Sequence, residues 1–161
     1  MRLVALAAVL SLAGTACEQA PPCADLAVSL GTIPPRTPED GFVPMTAASA
    51  PRLEFGSQAS WMLVLAVKLL TPAQHRDMPV EAWLEDAGGE PLSHAPRRTR
   101  PVSTTEDGGE YITNIFLPLD ADDSVTRTFG WDGTEVNLHV ALGRTCGQDV
   151  NISMPIRLQL P

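Results

Sequence analysis

The sequence predicts an all-β fold, an immunoglobulin-like sandwich of about seven strands behind an N-terminal export signal, and three observations carry this expectation. Apolar residues recur with period two from residue 25 onward, turn residues interrupt them at short intervals, and no capped run with a period of 3.6 is present.

The first element is the export signal. Met1-Arg2 brings one positive charge, Leu3 to Leu12 is an apolar run, and Ala13-Gly14-Thr15-Ala16 supplies small residues before Cys17. That order is the order of a secretory signal, and the apolar run of about 10 residues is too short to cross a membrane. Small residues followed by cysteine resemble a lipobox, the site at which bacterial lipoproteins are acylated on the cysteine and cut just before it. Residues 1–16 therefore read as a lipoprotein signal peptide, Cys17 as the lipidated first residue of the mature chain, 17–24 as anchor and short linker, and 25–161 as the Ig-like domain. Gly14 stands where the lipobox prefers leucine, and Gly14-Thr15-Ala16 also satisfies ordinary signal peptidase, whose product would be a free secreted protein. Glu18 follows the cysteine where the inner-membrane retention signal has aspartate, which implies the outer membrane.

Cysteine parity agrees with a lipid on Cys17. The chain has 3 cysteines, Cys17, Cys23 and Cys146, and an odd count leaves a stray thiol in an oxidising compartment. With Cys17 acylated, Cys23 and Cys146 are left to form a disulfide, which in the chain-entropy model stabilises the fold by about 4 to 5 kcal/mol. No second cysteine or histidine lies two to four residues from either, so zinc is disfavoured.

The formal charge is -8, and loss of the signal removes Arg2 and no acid, leaving -9 on the mature chain. Such a surface repels nucleic acid and anionic headgroups, so the membrane is reached through the lipid and nucleic acid is excluded as a partner. The basic group Arg97, Arg98 and Arg100 is the local exception, read as a solvated strand edge rather than a site for an acidic partner.

The mature 145 residues, 161 minus 16, suit one domain with an adequate core. Leu26, Val28 and Leu30 alternate with Ala27 and Ser29, which makes the first strand. Weaker extended pieces fall at 42–45 and 53–55, and further strands at 59–70, 80–87, 90–100 and 110–117. Val136, Leu138, Val140 and Leu142 define the penultimate strand. In the last, Val150, Ile152, Met154, Ile156, Leu158 and Leu160 share one face. Pro155 cannot donate to a ladder, so that strand belongs at an edge or carries its proline where no partner is needed. Gly88-Gly89 reads as a tight hairpin, Asp107-Gly108-Gly109 as a second reversal and Trp131-Asp132-Gly133 as a turn before the penultimate strand. Residues 71–78 have room for one turn of helix.

Residues Phe42-Val43-Pro44-Met45, then Phe55-Gly56-Ser57-Gln58 leading into Trp61-Met62-Leu63-Val64-Leu65-Ala66-Val67, look like those of a group of myxobacterial-type lipoproteins that pair a lipobox with an Ig-like domain. The resemblance implies a fold and an address, and the group brings no known activity. Ala59-Ser60 stand where that group often has glycine and a residue such as histidine.

The sequence carries little recognisable chemistry. There is no Gly-x-Ser-x-Gly elbow and no serine with a local histidine, as a serine hydrolase needs. His75, His94 and His139 are scattered, and alternation puts His139 on the outward face as a surface residue. His75 with Met78, or His139 with Cys146 and Met154, faintly resemble copper ligand sets, but no histidine follows Cys146. Asp120, Asp122 and Asp123, followed by Asp132, form an acidic loop able to converge on calcium, against the simpler reading of a solvated loop. The long strand is apolar on both faces. Trp61, Leu63, Leu65, Val67 and Leu69 make the core side. Met62, Val64 and Ala66 must be covered by the chain's own residues 31–55 or by a partner.

The sequence thus predicts a non-catalytic, membrane-anchored Ig-like lipoprotein, without a resident cofactor, whose role is to bind an envelope or surface protein or to support the envelope. A calcium-dependent adhesin or ligand-binding module is the alternative, and an enzyme is third. Mass spectrometry of the native protein is expected to find an acylated Cys17, and a non-reducing peptide map to find Cys23 joined to Cys146. An unmodified terminus at Cys17, or two free thiols, would refute the respective assignment.

Overall fold

The computed structural model describes residues 25–33, 41–56, 60–73, 75–105, 108–119, 130–143 and 149–161. Cys17, Cys23, Cys146 and the acidic group Asp120, Asp122 and Asp123 lie outside them. The strands are β1 (Val28–Thr32), β2 (Val43–Pro44), β3 (Glu54–Phe55), β4 (Trp61–Leu69), β5 (Asp77–Glu85), β6 (Pro91–Pro101), β7 (Ser103–Thr104), β8 (Glu110–Leu119), β9 (Glu135–Leu142) and β10 (Val150–Arg157).

They form two antiparallel sheets. One runs β2-β1-β4-β8-β7, with β3 also paired to β4, and the other runs β10-β9-β5-β6. Among the described residues seven strands are long, and their division into β1, β4, β8 and short β7 against β10, β9, β5 and β6 is the strand order of an immunoglobulin-like sandwich. β6 and β7 are separated by Val102 alone, so the chain leaves the second sheet at Pro101 and joins the first at Ser103.

Alternation builds the core. Leu63, Leu65, Val67 and Leu69 of β4 and Ile112, Ile115, Leu117 and Leu119 of β8 face Val80, Ala82 and Leu84 of β5 and Val136, Leu138, Val140 and Leu142 of β9, all buried. Ile115 keeps the inward phase of Ile112 across an extra residue in β8, a bulge at which Asn114 takes a φ of 59°. Ser93 is the buried polar side chain of the core, and its hydroxyl donates to the Pro118 carbonyl, tying β6 to β8 across the sandwich.

The turns use the chemistry that the sequence offers. Asp86 Oδ1 accepts from the Gly88 and Glu90 N–H groups at 2.7 and 2.9 Å, while Gly89 takes a φ of 86° that a side chain would strain. In residues 71–78 the expected helical turn is not formed by the described residues, since Asp77 and Met78 already pair with Pro101 and Arg100 in β5 and β6. The Ala73 N–H instead donates to Glu110 Oε2 at 2.6 Å. β10 is an edge strand, as Pro155 requires. Leu158 donates to Thr134 and accepts from Gly133, which turns the even-numbered residues of this strand toward β9 and leaves the Pro155 nitrogen on the open side.

The second face of β4 is covered at Ala66 by β1 and the segment around Phe42, and is half-buried at Met62 and Val64. Ala66 is buried opposite Gly31, and a Cβ on Gly31 would collide with the Val43 carbonyl oxygen and the Phe42 ring. That ring reaches Tyr111 of β8 at 5.7 Å between centroids. Lys68 Nζ lies 5.4 Å from the Tyr111 centroid. Gly31→Ala is therefore expected to lower the unfolding free energy by about 1–3 kcal/mol through overpacking, and Leu138→Ala by about 2–5 kcal/mol through a cavity. Urea unfolding of both variants checks this, and a neutral Gly31→Ala would show that Phe42 does not pack there.

A candidate binding groove on the first sheet

The segment from 41 to 56 does more than cover β4. Met45 donates to the Leu30 carbonyl at 2.8 Å, after which residues 49–53 cross to the outer edge of β10. There Arg157 N–H donates to Ser49, Gln159 N–H to Pro51, and Leu53 N–H to the Gln159 carbonyl. The crossing carries the buried Leu53 into the core and closes one corner between the two sheets.

Between this crossing and the end of β1 lies a groove of about 700 Å³, lined by Thr32, Ile33, Leu53, Phe55, Trp61 and Val64 among others. Its floor and walls are mostly apolar. Phe55 meets Trp61 edge to face at 5.2 Å yet remains 62% exposed, and Val43 on the opposite rim is 47% exposed. Beside the groove Phe116, paired with Val64, is 44% exposed. Met62 and Val64 are half-buried, so the described residues between 31 and 55 leave these two partly open while Ala66 is buried. Exposed large apolar residues gathered at a cleft mark a contact surface.

The outer face of the second sheet holds a polar cluster that alternation alone did not reveal. The Trp83 and His139 rings, directly paired across β5 and β9, stack at 4.9 Å with planes 5° apart. Glu85 Oε1 accepts from the Trp83 indole N–H at 2.9 Å, and its Oε2 lies 3.2 Å from His139 Nε2. His139 points outward as expected but is not a freely solvated residue, because the indole covers it and its side chain is only 20% exposed. His94 meets Glu81 separately at 2.8 Å. Among the described residues no three histidine, cysteine, aspartate or glutamate side chains converge as a metal would require.

The remaining candidates are placed individually. Met78 is buried in the core whereas His75 is exposed, so they are not brought together as ligands. Met154 packs against the core, on the face opposite that of Ser153, the partner of His139. Asp132 Oδ1 accepts from the Leu160 N–H at 3.0 Å, which gives this acid a role in fixing the C-terminal strand. The basic group lies on the edge strand β6, with Arg97 and Arg98 exposed and Arg100 half-buried. Arg97 grips Asp149 through two bonds of 2.6 and 3.3 Å, and this hydrogen bond raises its pKa. Arg100 donates to the Asn114 carbonyl at 2.7 Å, and burial lowers its pKa. Arg98 stays exposed.

No family model matches the chain, and no curated protein does. Among solved structures it is similar to the crystal structure of the periplasmic chaperone SfaE, at 10% identity and a TM-score of 0.38, over 83% of this chain and 57% of that one. The chain thus spans less than two thirds of that chaperone's length.

Phe55→Ser is expected to leave stability within about 0.5 kcal/mol, as at other exposed sites, while Leu53→Ala, two residues away, is expected to cost about 2–5 kcal/mol. Thermal and urea unfolding compare them, and a large loss on Phe55→Ser would mean that the rim belongs to the core.

Proposed function

We propose that this protein is a non-catalytic envelope lipoprotein, anchored through Cys17, whose Ig-like domain binds another protein through the groove on its first sheet. The observation that carries the reading is the groove itself, an apolar cleft rimmed by Phe55 and Val43 on a chain of formal net charge -8.

Strand direction supports the placement of that groove. The start of β1 pairs with Leu69, and the Gly143 N–H donates to Pro79 near the start of β5, so the first strand begins at the end of the sandwich where β9 leads toward β10. The described chain begins before β1 and leaves β9 at that same end, which supports the proposed bridge from Cys23 to Cys146. Five residues, Glu18 to Pro22, separate the anchor from Cys23, a reach of at most about 20 Å at 3.3–3.6 Å per residue. Trp61 and Phe55 lie at the other end of their strands, so in the proposed anchored pose the groove would face away from the membrane. Acid on the surface keeps the domain off anionic headgroups, in agreement with this pose.

Affinity purification from crosslinked native envelopes tests the proposal. One protein is expected to be enriched by the wild-type chain and lost with Val64→Phe, a variant that fills the groove and whose melting temperature serves as a folding control. Equal recovery by the folded variant would remove the groove from the function. Recovery of no partner by either would count against an interaction role.

A further inference from the structure

The pairing registers leave a break in the first sheet. β8 accompanies β4 from Trp61 to Leu69, whereas on the other side β1 pairs only with Ala66 to Leu69 and β3 only with Trp61 and Met62. Among the described residues, Leu63, Val64 and Leu65 have no strand beside them there, a gap of about 10 Å at about 3.3 Å per residue.

The phase of the hydrogen bonds decides which residue faces that gap. Leu70 donates to the Ala27 carbonyl and Ser60 accepts from Gly56, so the even-numbered residues of β4 turn their main-chain groups to this side. Val64 is the one left in the break. Extending the β1 register would place Ile33 opposite it, and extending the β3 register would place Arg52 there, yet neither bonds to it. The chain at Thr32 has turned to Val43, and residues 51–53 have turned to β10. Among the described residues the Val64 N–H and carbonyl have no hydrogen-bond partner, and Val64 lines the groove.

We infer that the groove accepts an extended peptide segment of a protein partner, whose main chain pairs with Val64 while an apolar side chain enters the cleft between Leu53, Phe55 and Trp61. The inference rests on the reading of the groove as a protein-binding surface and specifies what that surface takes. An apolar small molecule or acyl chain would strip water from both Val64 groups and leave them unpaired, whereas a residue in extended conformation supplies one acceptor and one donor at matching positions. A second copy of the chain is poorly suited as donor, because its long outer strands carry Pro155 in β10 and Pro91, Pro96 and Pro101 in β6. The break admits one hydrogen-bonded residue pair, so recognition calls for a short motif of two apolar residues around a residue that is not proline.

The test uses the full chain as the cell produces it and a library of eight-residue peptides alternating Val, Ile, Leu or Phe with Ser or Thr. The Val64 amide, followed by residue-resolved hydrogen exchange, is expected to exchange fast in the free protein and to slow about tenfold or more with a bound peptide. N-methylation of the one peptide residue that pairs with Val64 is expected to weaken binding about tenfold or more, with N-methylation at the next residue tolerated. Binding that Val64→Phe abolishes but that neither protects the Val64 amide nor responds to N-methylation would overturn strand pairing while leaving the groove as the binding surface. A Val64 amide already protected in the monomer would show the gap filled by the chain itself. Protection that appears only with dimer formation in sedimentation would assign the site to a second copy. Failure of every peptide to bind would likewise overturn the inference, with the envelope purification above deciding separately on the groove.

Discussion

A strand that is apolar on both of its faces governs this fold. One side of β4 meets the second sheet through Leu63, Leu65, Val67 and Leu69, and that contact alone would make an ordinary half-buried strand. The other side presents Met62, Val64 and Ala66, too apolar to be left in water along its whole length. The chain answers by returning over it immediately after β1, and the return fixes the identity of residues far apart in sequence. Gly31 has no room for a Cβ because Phe42 must pass, and Ala66 beneath is small and buried. Once there, the returning segment must rejoin β4 at β3, and it takes the route by way of the edge of β10, which becomes hydrogen-bonded at Arg157 and Gln159. The groove is what remains where this route departs from the sheet.

Much of the architecture was legible because a half-buried strand writes its orientation into a period of two. Leu138 and Val140 point inward, and Ile152, Met154 and Ile156 share the face that the alternation assigns them. Glycines 89, 108 and 133, each with positive φ, mark the three reversals that turn chemistry indicated. The short pieces at 42–45 and 53–55 are present as β2 and β3, reduced to two residues each. Residues 71–78 suit a helical turn by local pattern, and the described residues among them form none; nothing local states that Asp77 is needed opposite Pro101.

What pattern could not show is register, the choice of which residue stands beside which across strands. The stack of Trp83 on His139 depends on pairing between β5 and β9, 56 positions apart, and the sequence offers only the hint of a tryptophan and a glutamate two residues apart on one face. The break at Val64 is likewise a property of two registers, those of β1 and β3, that end before they meet. Asp132 resembled part of an acidic ligand set for the same reason, since its bond to Leu160 joins segments 28 positions apart.

The treatment of edges separates the gap from an accident of packing. Unpaired main-chain groups along a strand invite unwanted association, and proteins commonly blunt them with proline, charge, bulges or short length. Here β6 carries Pro91, Pro96 and Pro101 with a register shift beside Ala95, and Arg97 and Arg98 lie on the same strand. β10 has Pro155 on its open side and residues 49–53 over its end, while β2 and β7 are two residues long. Among the described residues, every outer edge is therefore disarmed by at least one such device. The inner gap at Val64 is disarmed by none of them except its length. A gap of three residues cannot template a growing sheet, because a long strand would run into β1 on one side and β3 on the other. It can still hold one residue of an extended chain. That combination gives selectivity for a short segment with little hazard of aggregation, which is the property a surface domain needs if it is to bind peptide main chain while standing exposed.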